Sequence, residues 1–356
     1  MYSFYMFVIL TFILLVLLFR VILGSLRCSE SVKHKVESLF CYISYFIIVL
    51  LAMFRSSNVG PDTLSYIEDY KEMSIMSFSD ILSEYRGYEG YYLLSKLFSM
   101  MNFPCYAWFG VVEFILVFAI ARFINKFSRD RLYSIILFLV TGLFLFSLAG
   151  LKQTLAMSLM LHAYVDLTEK KYIRSCMLIV FAYFAHPASL IALLAFMIYL
   201  IRKSKFVFPV VALTTLVVCI GGLSIALLLV TVLGNNHFAM YLQEDSSYTM
   251  STLFLYILIC LCTLPYLFKY YKSGYNSKVE ISCVVLTCAF QYWASLSPSL
   301  FRLSFTLLPF LFVYVPNSFD MVEHKAPLRL ILKYCALIGP ILFFAYANRS
   351  LVYTFI

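Results

Sequence analysis

The sequence predicts an all-α fold, a polytopic integral membrane bundle of about twelve transmembrane helices, and three observations carry that prediction. Of 356 residues, 63% are hydrophobic and 13% charged, where a soluble domain carries roughly 25% charged residues. The apolar residues run in segments close to the roughly 20 residues that a helix needs to cross the hydrocarbon. Lys and Arg fall in short clusters between those segments.

Residues 4–19 are apolar with no Lys or Arg before them. A signal peptide opens with a positive region, so a retained first span is expected. Six basic segments follow, at 20–35, 122–131, 170–174, 202–205, 269–278 and 325–333. Cytoplasmic loops are enriched in Lys and Arg, so these six mark one side, and the chain must cross an even number of times between them. Spans are then expected near 39–54, 105–121, 132–149, 150–167, 173–186, 187–201, 207–233, 251–268, 281–296, 299–316 and 330–347. Residues 173–201 form either two short tilted helices turning at His186 and Pro187 or a re-entrant hairpin, because proline lacks a helix donor and constrains the residue before it. The stretch 207–233 has room for a kink at Gly221 and Gly222.

The outward connections become 55–104, 149–152, 186–187, 234–250 and 297–302, within a single transmembrane domain of residues 1–356. Only the first is long. In its second half Tyr91, Leu94, Leu97 and Phe98 recur at helical spacing, which predicts an interfacial helix near 88–103.

The net charge of +9 does not point to nucleic acid, because the basic residues alternate with apolar segments instead of lining one soluble face. Ten cysteines stand mostly alone in apolar stretches, with no CxxC. They read as small apolar residues, not as a disulfide framework or zinc site. No HxxxH or DxD spacing occurs on the outward side, so no metal and no cofactor is expected.

The outward connections carry the informative polar residues. Singly, each has an ordinary explanation. Asp62 before Thr63 suits a helix cap, Lys152 and Arg302 can snorkel to water, and His186 suits a turn. Glu68, Asp69, Lys71 and Glu72 read as a solvated helix face. Glu113 and His162 fall inside apolar spans and read as hydrogen-bonded buried groups. Tyr66, Tyr70, Tyr88, Tyr91, Tyr92, Tyr241 and Tyr248 suit either an interfacial belt or stacking on sugar rings. Taken together, Arg55, Lys152 and Arg302 at the outer ends of three spans run against the positive-inside tendency. A bundle builds its sites from several helices, and converging cations suit a diphosphate. His186 and Asp62 are then candidates for a general base.

The arrangement resembles the EpsG-like branch of the Wzy-type polymerases. The residues that carry the resemblance are Arg55, Asn58-Val59-Gly60-Pro61-Asp62-Thr63 and Tyr66 after the second span, then Glu89-Gly90-Tyr91, Lys152-Gln153 with Ala156, Phe184, His186 and Ser189, and Arg302 at the start of a late span. They cover about residues 50–316 in the family's order. Lys152 stands where the family more often has Arg, and Pro61 where a small residue or Thr is common. The resemblance implies a GT-C-like bundle in the bacterial inner membrane, with residues 55–104 and 234–250 as periplasmic loops. It implies a metal-independent glycosyltransferase that moves a growing glycan from undecaprenyl diphosphate onto the non-reducing sugar of a new lipid-linked repeat. Arg55, Lys152 and Arg302 would take the diphosphate, His186 or Asp62 the acceptor hydroxyl, and Tyr66, Glu89, Tyr91, Gln153 and Tyr241 the glycan. The implied partners are the lipid-linked oligosaccharide and the bilayer, with a chain-length regulator and a flippase as further candidates, and no nucleic acid. A lipid-linked oligosaccharide flippase, an O-antigen ligase and a glycan-decorating acyltransferase remain as alternatives.

Overall fold

Apolar segments punctuated by Gly, Pro and short basic turns fold as helices throughout the computed structural model, which describes residues 4–25, 29–57, 59–60, 62–232, 247–294, 300–321 and 327–348. Asn58, Pro61, Tyr241 and residues 234–246 of the second outward loop lie outside the described residues. Every element among them is helical. Among the described residues, five helices are long and apolar enough to cross a membrane: Phe7–Ser25, Ser31–Met53, Cys105–Phe127, Met250–Lys272 and Pro327–Ala347. A sixth candidate is the pair Arg131–Val140 and Leu143–Ala149, bent by 51° at its break. Other expected spans are shorter, or are interrupted by charged or polar residues.

The helices gather into two compact units, residues 1–190 with 341–356 and residues 191–340. In the first unit the order is α1 (Phe4–Ser25), α2 (Glu30–Met53), α3 (Thr63–Ile75), α4 (Phe78–Glu84), α5 (Glu89–Met100), α6 (Cys105–Phe127), α7 (Arg131–Val140), α8 (Leu143–Ala149), α9 (Leu151–Thr168) and α10 (Tyr172–Ala185). The expected helix near 88–103 is α5, and two further helices precede it in the same connection. Pro187 holds His186 extended, with φ −166° and ψ 116°, and this ends α10. A 3-10 turn over Pro187–Ala192 follows, then α11 (Leu193–Ile201), so residues 173–201 are two helices.

Ion pairs tie the basic segments of the first unit together at one end. Arg20 at the end of α1 meets Asp130 before α7 at 2.6 Å, and Arg131 meets Glu37 of α2 at 3.2 Å. Arg122 of α6 meets the buried Asp166 of α9 at 2.8 Å, Lys126 meets Glu169 at 3.1 Å, and Arg174 of α10 meets Asp166 at 3.0 Å. The C-terminal ends of α6 and α9 therefore coincide, and α10 runs back from them. His162 has a partner here, Arg122 Nη1 lying 3.1 Å from its Nδ1. This basic end holds three of the segments that the sequence assigns to one side.

The second unit comprises α11, α12 (Val207–Val232), α13 (Ser247–Thr263), α14 (Leu267–Lys272), α15 (Tyr275–Ala294), α16 (Phe301–Leu307), α17 (Pro309–Phe319) and most of α18 (Pro327–Ala347). α12 continues as a helix through Gly221 and Gly222. The expected span over 299–316 is divided where Pro309 begins α17. Buried Glu280 accepts from Tyr270, and Asn317 Nδ2 joins that carboxylate at 3.4 Å. Ser304 donates to Gln291 at 2.6 Å, pinning α16 to α15.

Candidate functional site

At the other end of the first unit, the connections after α2, between α8 and α9 and after α10 meet. Gly60 has φ +88°, and a Cβ there would stand 3.3 Å from Leu148 O and 3.2 Å from Thr63 Oγ1. The loop after α2 thereby lies directly on the turn between α8 and α9. Gly90 gives a second close approach, its Cβ position being 3.1 Å from the backbone of Phe184, so the start of α5 sits on the end of α10. Gly60 with Leu148, and Gly87 and Gly90 with Pro187 and Phe184, thus bring these connections close together.

α3 and α5 form its roof. Tyr66, Tyr70 and Met73 recur on one face of α3 and are buried with Tyr91, Tyr92, Trp108 and Phe109. Buried Lys96 of α5 donates to Ser74 O in the last turn of α3 at 3.0 Å, where a helix end favours a cation. Tyr70 Oη donates to Phe103 O at 2.8 Å.

Lys152, in the first turn of α9, is the centre of this region. Its Nζ lies 4.7 Å from the ring centroid of Tyr92, 5.3 Å from that of Tyr88 and 5.6 Å from that of Tyr66. It donates to Tyr92 Oη at 2.6 Å, and Tyr92 donates to Asp69 Oδ2 at 2.8 Å. Burial and the neighbouring Asp69 carboxylate push the Tyr92 phenol far above its ordinary range, so it remains a hydroxyl. The Lys152 side chain keeps 24% of its surface exposed, enough for a ligand to reach it. Three π-faces and one phenol favour a cation here.

His186 adjoins the same cluster through Tyr88, whose ring is 5.2 Å from the imidazole, edge to face. Ala188 N–H donates to His186 Nδ1 at 3.2 Å. An imidazole whose Nδ1 accepts carries its neutral-state proton on Nε2. Asp62 occupies the cap position of α3, yet its side chain makes no capping hydrogen bond, which corrects the capping role expected for it. Glu89 turns back on its own loop, accepting from Gly87 N–H at 2.9 Å.

Three of the residues expected as ligand contacts are buried in the structure. Arg55 is 0% exposed: its guanidinium donates to Ala52 O at 2.9 Å, packs 4.7 Å from the Phe109 ring and acts electrostatically on the buried Glu113 carboxylate. It packs the end of α2 against α6. Glu113, for which the sequence offers no partner, also accepts from Ser147 at 3.1 Å. Tyr91 is 2% exposed, with its hydroxyl accepting from Trp108 Nε1 at 3.2 Å. Its ring lies in the core with Tyr66 and Tyr92. Gln153, also 2% exposed, faces the helix packing next to Lys152. Tyr66 borders Lys152 as described, and Tyr241 lies outside the described residues. Arg302 belongs to the second unit, where it opens α16 and is partly exposed.

Asp69 is the residue that the sequence reading passed over as part of a solvated face. The available signal was its place three residues after Tyr66 and seven after Asp62, one helix face, with Tyr88 and Tyr92 themselves four apart at the start of α5. Among the described residues, no three His, Cys, Asp or Glu side chains gather as a metal-ligand set.

A family model described as the EpsG family matches residues 38–355, nearly the whole chain. No curated protein and no solved structure matches it.

Proposed function

The chain belongs to the EpsG family and is a membrane protein of polysaccharide biosynthesis, and from that premise we propose that it polymerises lipid-linked oligosaccharide repeat units. The observation that carries this reading is the Lys152 ammonium, partly open and set among tyrosines where the outward connections of the first unit meet. A diphosphate ester offers this ammonium a stronger anionic partner than Asp69 at 4.0 Å, and Tyr88, the half-buried ring beside it, suits the sugars attached to the diphosphate.

In the proposed reaction the acceptor sugar hydroxyl attacks the anomeric carbon of the donor glycan. The new C–O bond forms as the bond from that carbon to the diphosphate breaks, and undecaprenyl diphosphate leaves. Negative charge grows on the departing oxygens, and Lys152 stabilises it. The hydroxyl proton needs an acceptor. Asp62, whose carboxylate is not used as a cap, fits that role, and His186, with Nδ1 already accepting, fits better as a donor to anionic oxygen. Arg302 joins the diphosphate ligands in this reading on the sequence pattern alone. The reading also takes the site as periplasmic, in an inner-membrane protein whose shorter helices complete about twelve crossings of GT-C-like type. A flippase would carry its cations at mid-membrane depth, whereas Lys152 stands at the first turn of its helix, which favours the enzyme.

The test is the surface glycan of a strain lacking the protein, complemented with wild type or Lys152→Met. Single repeats with loss of the long ladder, restored by wild type alone, are the expected result. Loss of every repeat in the deletion strain would overturn the reading in favour of a flippase or ligase.

A further inference from the structure

A lysine placed beside an aspartate ordinarily closes a direct ion pair, and the pair neutralises both charges. Here the Lys152 ammonium and the Asp69 carboxylate are 4.0 Å apart, beyond hydrogen-bond reach. The Tyr92 phenol is interposed, accepting from Lys152 at 2.6 Å and donating to Asp69 at 2.8 Å. Tyr92 is itself held, its ring 3.8 Å from that of Tyr85, whose hydroxyl donates to Glu72 at 3.2 Å. The elements that hold Asp69 and Tyr92, α3 and α5, are locked to each other through Lys96 and Ser74.

We infer that Asp69 and Tyr92 are positioning residues for Lys152, an inference that rests on the reading of Lys152 as a diphosphate ligand. Asp69 accepts the hydrogen bond from the Tyr92 hydroxyl, so the Tyr92 oxygen turns its lone pairs to Lys152. Tyr92 then fixes a long flexible side chain in one place among three rings, which removes much of the ordering cost of binding. The carboxylate, 4.0 Å from the ammonium, balances its charge when the site is empty and holds it in place through the phenol.

The experiment uses the full chain in lipid nanodiscs, undecaprenyl diphosphate as the probe and undecaprenol as the uncharged control. Tyr92→Phe and Asp69→Asn should each weaken diphosphate binding about tenfold, the scale of one hydrogen bond to a charged group, and leave undecaprenol binding unchanged. In a Lys152→Met background neither change should have any further effect, and Asp69→Glu should recover most of the affinity. Equal weakening with and without Lys152, or no weakening at all, overturns the inference. If Lys152→Met alone binds the diphosphate as wild type does, the reading of Lys152 as its ligand fails first, and the positioning role falls with it. If Tyr92→Phe does not fold, the comparison of Asp69→Asn in the two backgrounds decides the matter alone.

Discussion

The two ends of the first unit both gather cations, and they treat them differently. At the basic end Arg122, Lys126, Lys171 and Arg174 each meet a carboxylate of Asp166 or Glu169 within 2.6 to 3.1 Å. At the other end Lys152 meets aromatic faces and a phenol, with Asp69 held off at 4.0 Å. A matched cluster spends its charge on joining helices. A cation set among ring faces and a neutral hydroxyl, with its carboxylate at 4.0 Å, remains partly open to a ligand. Arg55 shows that position at an end does not decide the role, since it lies near Lys152 in sequence-predicted sidedness and yet is buried against Phe109 and Glu113.

Arg55 offers the sharpest challenge to the comparison. Arg55→Ala removes the hydrogen bond to Ala52 O and the buried contact with Phe109 and should cost about 3 kcal/mol of stability, while the activity of each folded molecule stays within about twofold. A large fall in that specific activity with normal thermal stability would put Arg55 in the site. Lys152→Met should do the reverse, lowering polymerisation of purified lipid-linked repeats about a hundredfold, roughly 2.7 kcal/mol, with little change in melting temperature. Asp166→Ala tests the basic end. Its partners Arg122 and Arg174 are partly exposed, at 19% and 60%, so water offsets some of the loss, and the cost should be about 2 kcal/mol with turnover retained.

Two smaller effects refine the picture. Gly60→Ala must hold φ near +88° and meet Leu148 O at 3.3 Å, which should cost about 1 to 2 kcal/mol and lower turnover by shifting the loop on the α8–α9 turn. The pH dependence of the basic end should be smaller still. Hydrogen bonds from Lys171 and Lys126 hold the Glu169 carboxyl at about 2. A depressed carboxylate contributes stability above the unfolded value, and loses it as pH falls through the folded one. Melting temperature in detergent should therefore decline more steeply between about pH 4.5 and 2 for wild type than for Glu169→Gln, and high salt should shrink the difference.

Much of the fold is legible in the chain. Apolar run lengths locate the helices, Pro187 locates the break at His186, and the clustering of Lys and Arg predicts which ends coincide, as the Arg20–Asp130 and Arg122–Asp166 pairs bear out. The site is only partly legible. Lys152, Tyr66 and His186 stand out as polar or aromatic residues at outward turns, and they do come together. Asp69 looks like any charge on a short amphipathic helix until α3 packs on α5 and aims it at Tyr92. Tyr91 and Gln153 sit next to the half-buried Gly90 and Lys152 in sequence, but one step along a helix turns a side chain by about 100°, from a rim into a core.

What the sequence by itself determined is which segments are helices and how its basic connections group, because hydrophobic transfer and the positive-inside tendency act on each segment in turn. Only the tertiary structure decided which cations are spent and which are kept. That depends on the groups facing each one across neighbouring helices. Phe109 and Glu113 are 54 and 58 residues after Arg55 in the chain, and Tyr92 is 60 before Lys152. Such partners are set by packing, and no local pattern encodes them.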